Sequence, residues 1–341
     1  MAIVLRRACA VTASIALLLC TAHAAPLSSE AAKCQKTVAT QGRVFVKKRF
    51  GALQKCHDSI NKGTLPAGTD CTLDPKTSSK ISKATTKYGD KVGDKCSDAV
   101  VAGLDFGGQC LGVSTAADLV ACLLEEHEAS ADDLIATVYP ANPAKRCSGG
   151  ASDGNACTAN AGCPGGTCVL PGRTCDDGAN DGAVCDSDGD CPGGACLMSR
   201  DQAKCAKILG KTIVKQVNKR LAFVQKCKKL VAKDKLSAGT DCVAFAQDKI
   251  DKITGKAIEK IQKKCPDAVA VTELFGGSCA AADDADSVAA CGTCAADSEA
   301  DDLIVVQHGT GSIGGSASAM QIADGADCVD GPQSRCRVGD Y

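Results

Sequence analysis

The stretch CQKTVATQGRVFVKKRFGALQKC, residues 34–56, returns 171 positions later as CAKILGKTIVKQVNKRLAFVQKC, residues 205–227. The recurrence continues outward from there. The first copy runs on through LPAGTDC, DKCSDAV, FGGQC and DLVAC to ADDLI, ending at Ile135, and the second through LSAGTDC, KKCPDAV, FGGSC and DSVAAC to ADDLI, ending at Ile304. Cys34, Cys56 and Cys71 recur at the 171-residue step as Cys205, Cys227 and Cys242; Cys96, Cys110 and Cys122 recur at a 169-residue step as Cys265, Cys279 and Cys291. A complete six-cysteine unit written twice is an internal duplication, and it sets the architecture.

Each copy reads as helix. At about 100° per residue, Leu209, Ile213, Val217, Val224 and Cys227 share one face, while Lys204, Lys207, Lys211, Lys215 and Lys219 share the opposite one, the pattern of an amphipathic helix of about eight turns. Val38, Phe45, Phe50, Leu53 and Ile60 give the first copy a comparable apolar side. A glycine-containing turn follows in each copy, then a second helix: Ile250, Ile253, Ala257 and Ile261 line one side of it, and Lys249, Lys252, Lys256 and Lys260 the adjacent side. In the first copy Pro75 fits a first helical turn ahead of Ile81, Ala84, Tyr88 and Val92.

A short connection makes the two helices antiparallel neighbours, and this geometry dictates disulfides. Cys34 and Cys56 on one helix lie about 33 Å apart at 1.5 Å per residue, far beyond bonding reach. The antiparallel hairpin instead brings Cys56 to Cys71 at the turn and Cys34 to Cys96 at the open end, and likewise Cys227 to Cys242 and Cys205 to Cys265. Cys110 with Cys122, and Cys279 with Cys291, close the remaining acidic segment, which reads as a further helix folded back on the hairpin. By loop closure the short bridges contribute roughly 3 kcal/mol and the long ones about 4. With its own cysteines and apolar seam, each repeat (30–140 and 199–306) reads as a domain able to fold alone.

Between the repeats, 145–198 is different material. Cys147, Cys157, Cys163 and Cys168 recur at a uniform 28-residue step as Cys175, Cys185, Cys191 and Cys196, with each unit ending CPGGxC and filled by Gly, Asp, Asn and Ser. Long regular elements are excluded by that composition. These units resemble the short four-cysteine repeats of secreted multi-module proteins, including the Dickkopf N-terminal cysteine-rich region. The resemblance covers about 55 residues and implies an extracellular module with no activity attached. Cysteine spacing leaves the connectivity of these modules open.

Residues 1–24 combine Arg6 and Arg7, the apolar run AVTASIALLL and the ending Ala22-His23-Ala24, and read as a cleaved secretory signal. Of 25 cysteines, 23 lie after Ala24, which with such a signal points to an oxidising compartment and a secreted, periplasmic or cell-surface location. No later apolar run reaches the ~20 residues of a membrane span. Residues 307–341 read as a flexible tail carrying a closed loop through Cys328 and Cys336.

Charge is segregated within each repeat. From Cys34 to Cys96 there are thirteen Lys and Arg against five acids, and from Ser97 to Ile135 eight acids and no base; the second copy repeats this with sixteen against five, then nine and none. Like charges at i and i+4 destabilise a helix by roughly 0.2–0.5 kcal/mol per pair, so the lysine rows are not explained by helix stability. A solvated face, pairing with the repeat's own acidic third, or an anionic polysaccharide or lipid surface would account for them.

Reactive constellations are scarce. Cys291-Gly-Thr-Cys294 is a C-x-x-C, yet Cys291 has a counterpart in Cys122 and Cys294 is the unmatched residue; it reads as a free thiol, the site of a covalent homodimer, or a member of another internal pair. Asp176, Asp177, Asp181, Asp186, Asp188 and Asp190 crowd one module with oxygen ligands, but Thr158, Asn160 and Gly162 replace the last three in its sister, which favours a solvated loop over calcium. His57, His127 and His308 have no matched partners, and neither HExxH nor GxSxG occurs. Glu125, Glu126 and Glu128 read as an exposed helix face, with Thr293, Cys294 and Ala296 taken as their second-copy counterparts. No cofactor or metal is implied. The expectation is a mainly α, disulfide-stapled, non-enzymatic structural or interaction protein, with anion binding through the lysine faces as the alternative and thiol redox at Cys291/Cys294 as a third reading.

Overall fold

The computed structural model describes residues 27–309, apart from 67–68, 140–144, 153–155, 158–159, 170–172, 184, 186–187, 266–274, 277–278, 280–281 and 283. The expected signal segment and the pair Cys328 and Cys336 lie outside the described residues. The chain is mainly helical, and each repeat builds a long hairpin with a third helix laid back on it. In the first repeat these are α1 (Ser29–Ile60), α2 (Pro75–Gly93), a single turn α3 (Asp98–Val101) and α4 (Ala116–Val138). Strands β1 (Lys145–Ser148), β2 (Ala156–Cys157), β3 (Thr167–Val169), β4 (Arg173–Asp176) and β5 (Ala195–Met198) follow. The second repeat supplies α5 (Arg200–Val231), α6 (Cys242–Gln262) and α7 (Ala285–His308). Among the described residues, no helix is long and apolar enough to cross a membrane.

Local sequence fixes the helix starts. Ser28, Asp74, Thr115, Ser199, Asp241 and Asp284 each accept a hydrogen bond from a backbone N–H of the first turn, and Pro75 occupies the opening of α2. Such caps satisfy donors that the helix itself leaves unpaired. Both α1 and α5 run for 32 residues, about 48 Å at 1.5 Å per residue.

The four disulfides expected from hairpin geometry and the two expected to close the acidic segments are all formed. Cα separations are 4.9 Å for Cys34–Cys96, 5.6 Å for Cys56–Cys71 and 5.7 Å for Cys110–Cys122. Their counterparts measure 4.9 Å for Cys205–Cys265, 5.5 Å for Cys227–Cys242 and 5.2 Å for Cys279–Cys291. The central modules pair first with third and second with fourth cysteine: Cys147–Cys163, Cys157–Cys168, Cys175–Cys191 and Cys185–Cys196. Short strands carry them, in the antiparallel orders β2-β1-β3 and β4-β5. Gly150 and Gly178, one 28-residue step apart, adopt φ of 75° and 86°, and a side chain at either would collide with the backbone of its module's CPGG turn.

The repeats do not keep separate cores. Val46, Phe50, Leu53, Leu134, Ile135 and Val138 of the first repeat form one continuous apolar cluster with Leu209, Ile213, Val217, Leu221, Leu303 and Ile304 of the second. Another cluster, built on Val38, Phe45, Tyr88, Val92, Leu119 and Leu123, takes in Val306 of the second repeat. Helices α1 and α5 pack antiparallel, since Gln54 near the end of α1 donates to the carbonyl of Lys207 (3.3 Å), near the start of α5. Gln225 donates to the carbonyl of Lys36 (3.1 Å), which is the same bond with the repeats exchanged. The amide of Gly107 reaches the carbonyl of Val306 (3.3 Å), and its counterpart Gly276 reaches that of Thr137 (2.9 Å). Reciprocal contacts of this kind are the mark of a two-fold interface, here formed inside one chain.

Phe50 stands in the shared cluster without exposure, so Phe50→Ala is expected to cost about 3–5 kcal/mol. Chemical denaturation should show that loss in one transition moving both repeats together; two transitions, with only the first repeat shifted, would contradict a shared core.

Candidate functional site

The cysteine motif is resolved by its bonding. Cys291 is bonded to Cys279, so Cys291 and Cys294 do not form a C-x-x-C disulfide. Cys294 is itself disulfide-bonded, to a partner outside the described residues, and is 4 % exposed. This bonding matches the reading of Cys294 as a member of another internal pair, in place of a free thiol or a Cys291–Cys294 pair. The reason lies in helix rotation: three residues beyond Cys291 on α7, Cys294 turns inward, beside the buried Gly292 and Thr293. Among the described residues, the groups close enough to share a metal ion are the sulfurs of Cys147, Cys157 and Cys163 and of Cys175, Cys185 and Cys191. All six are tied up in disulfides and offer no thiolate. In the acidic module Asp181 accepts from the amide of Asp177 (3.2 Å), so that carboxylate shapes its own loop; Asp186 lies outside the described residues.

A buried ion-pair motif, repeated in both copies, is what sequence reasoning missed. Arg49 of α1 donates through Nε and Nη2 to Asp132 of α4 (2.9 and 2.7 Å), and its Nη1 lies 3.2 Å from Glu128. Arg220 of α5 holds Asp301 of α7 through Nε (3.1 Å) and Nη2 (2.7 and 2.8 Å), with Nη1 2.9 Å from Asp297. The arginines are only 8 % and 2 % exposed. Burial works against the charge of Arg220, but Asp301 and Asp297 outweigh it and its pKa is raised. Glu128 is therefore matched by Asp297, not by Ala296, and the reading of the Glu125 to Glu128 stretch as merely an exposed face is corrected. The signal was present: Arg49 and Arg220 stand at the 171-residue step, and the two acids of each triad at the 169-residue step.

Other acids of the same helices find no such partner. Glu126 and Asp133 of α4 and Glu299 and Asp302 of α7 share the seam where these helices meet. Burial, followed by the neighbouring Asp133 and Asp302, pushes Glu299 up to about 8, against the opposing influence of the Ser130 hydroxyl. Burial, then Asp301, Glu126 and Asp133, raises Asp302 to about 6. His127 is fully buried, its Nε2 2.9 Å from Gln307 Nε2 of the other repeat, and burial lowers its pKa to about 4. His57 stacks on Tyr139, whose hydroxyl donates to Asp58 (3.0 Å). His127 and Tyr139 thus join helices to one another.

The lysines are sorted differently. Lys204, Lys211, Lys215 and Lys219 are exposed along α5, as are Lys249, Lys252, Lys256 and Lys260 along α6. Lys207 is half-buried and pairs with Asp58 of the first repeat at 3.4 Å, so it belongs to the junction of the repeats. Lys260 is pushed below the ordinary lysine pKa by partial burial and then by Lys215 and Lys211, which places all three together across the α5–α6 hairpin. A groove of about 630 Å³ opens between the end of α1, the β4–β5 module and the start of α5. Asp58, Asp176, Arg200 and Lys204 give its walls mixed charge, with Leu197 and Met198 as the apolar part.

Comparison with protein families, with characterised proteins and with solved structures finds no match for this chain.

The buried groups set a pH dependence. Folded Glu299 keeps its proton up to about 8, whereas an unfolded glutamate releases it near pH 4.3. Its contribution is therefore complete at low pH and lost as pH rises through 8. His127 acts oppositely, because folding holds it neutral down to about 4; stability is lost as pH falls below 6.5. Between pH 6.5 and 8 the carboxyl acts alone, and unfolding free energy should drop by roughly 1–2 kcal/mol. Glu299→Gln is expected to flatten that limb in denaturation measured across the interval; an unchanged slope would show that Glu299 ionises normally.

Proposed function

We propose that this is a non-enzymatic interaction protein of an oxidising compartment outside the cytosol, a disulfide-stapled scaffold that presents surfaces. The observation that carries the reading is the fate of its reactive side chains. Each of the 21 cysteines among the described residues is in a disulfide, and the buried arginines Arg49 and Arg220 are spent on salt bridges between helices. A catalytic site needs a base within hydrogen-bond reach of a nucleophile, or a metal with an open position. Here His127 meets Gln307, and the candidate metal sulfurs are oxidised. Disulfide density of this order fits secretion, as do the signal-like residues 1–24. The CPGGxC modules point the same way.

Rigidity is the property such a scaffold supplies. Each hairpin is fastened at both ends, so its surface is held in one shape before a partner arrives, which lowers the entropy cost of binding.

Alkylation of the native protein, followed by reduction and peptide mapping, tests the reading. Every cysteine peptide between residues 27 and 309 should escape modification, and the native protein should not accelerate reduction of insulin by dithiothreitol. Labelling of Cys291 or Cys294, or reductase turnover that Cys294→Ser abolishes, would overturn it in favour of thiol chemistry. After full reduction, helicity at 25 °C should fall, because each repeat loses roughly 3–4 kcal/mol of chain constraint per bridge.

A further inference from the structure

We propose that each repeat carries a track for a linear anionic polysaccharide, formed by lysines of the long helix and of its hairpin partner. The proposal rests on the interaction reading above and names what the surface takes. On α6, Lys249, Lys252, Lys256 and Lys260 are exposed and fall within about 80° of one another, a straight row about 16 Å long. At the 169-residue step the first repeat sets Lys80, Lys83, Lys87 and Lys91 on α2 at the same intervals, again exposed.

A second row flanks each of these from the long helix. Lys211 and Lys215 of α5 bear on Lys260. In the first repeat Lys48 of α1 and Lys87 of α2 border one surface hollow with Gln41 and Tyr88; their counterparts are Lys219 and Lys256. Among the described residues, none of these lysines has a carboxylate within ion-pairing distance. Acids do lie on the same helices, Asp90 on α2 and Asp248, Asp251 and Glu259 on α6, but among the described residues none of them is within ion-pairing distance of a row lysine. Crowded, unpaired cations on rigid helices are a standing repulsion that a polyanion relieves, with release of its condensed counterions.

The geometry selects a polymer over a membrane or nucleic acid. From Lys80 to Lys91 and from Lys249 to Lys260 no large apolar side chain is exposed, and Leu73 and Phe245 stand singly ahead of the rows, whereas peripheral membrane binding needs a continuous apolar face to insert. Tyr88, the aromatic residue within these rows, is buried (1 % exposed) and presents no face on which a base could stack. Phe245, 48 % exposed and one turn before Lys249, offers a flat apolar face at the end of the row, where the C–H face of a sugar can rest.

The test uses the full mature chain and three probes: polygalacturonate, phosphatidylglycerol vesicles and oligodeoxythymidylate, with neutral dextran as control. Polygalacturonate should bind in 50 mM salt and be released as salt rises, and dextran should not bind. The triple variant Lys211→Gln, Lys215→Gln, Lys260→Gln should weaken binding about tenfold. A charge-matched variant at Lys33, Lys62 and Lys235, at the ends of the long helices and outside the rows, should leave it within about twofold, with melting temperature checked for both. No binding, equal loss in the two variants, or preference for vesicles or oligonucleotide would each overturn the proposal. Failure to bind would leave the scaffold reading intact; cleavage of the polymer, detected as new reducing ends, would overturn that reading while the track remained.

Discussion

Burial of the apolar surface between α1 and α5, with α4 and α7 closing over it, is what makes one molecule of two repeats. None of the ten described disulfides crosses from one repeat to the other. Within the described residues the halves are therefore joined by packing, by the reciprocal glutamine and glycine bonds, by His127 with Gln307 and by Lys207 with Asp58. Close approach of the long helices depends on glycine at one point: a Cβ at Gly210 would meet the Gln54 amide and sit 3.1 Å from the Phe50 ring. The bridges do a different task, holding each hairpin in register so that its apolar face is preformed for the other.

The two-fold relation is close but incomplete, and its departures fall where the copies chose different chemistry for the same space. Where the first repeat sets Phe45 against Tyr88, ring centroids 5.9 Å apart, the second has Gln216, which donates to Thr254 Oγ1 (3.1 Å), the Thr293 carbonyl (3.3 Å) and Asp297 (3.1 Å). The two N–H groups of this buried amide thus share three acceptors, while its Oε1 has no hydrogen-bond partner. His127 with Gln307 has Ala296 and Val138 in the exchanged positions, so that contact exists once. Duplication preserved the frame, and each half then repacked its interior.

Much of this was legible in the sequence because it follows from distances. Two cysteines 22 residues apart on one helix cannot bond, and the antiparallel hairpin leaves one economical pairing, so all six repeat disulfides could be read without coordinates. The shared core could not. Val38, Phe45, Phe50 and Leu53 look like one stripe on a helical projection, yet the structure divides them: Val38 and Phe45 pack inside the first repeat, while Phe50 and Leu53 face the second. A helix buried against partners on two sides has a wide apolar arc, and periodicity reports the arc without saying how many partners divide it. Cys294 stayed open for a related reason, since counting cysteines says nothing of which way a helix turns them.

Charge completes the division between interior and surface. Sequence segregation left open whether the basic hairpins neutralise the acidic third of their own repeat, and the structure answers by residue type. Arginine enters, because its planar fork can hold a carboxylate through two bonds and be buried without losing partners. Lysine, a strongly hydrated point charge on a flexible stem, stays outside. The carboxylates left without arginine, Glu299 and Asp302 among them, accept raised pKa values at the seam of α4 and α7 rather than recruiting lysine across the body. Both copies hold their arginine triads and their α2 or α6 lysine rows at the same steps. Interior neutralisation thus consumes Arg49 and Arg220 and leaves the lysine rows of the hairpins as uncompensated surface charge, repeated once on each side of the internal two-fold.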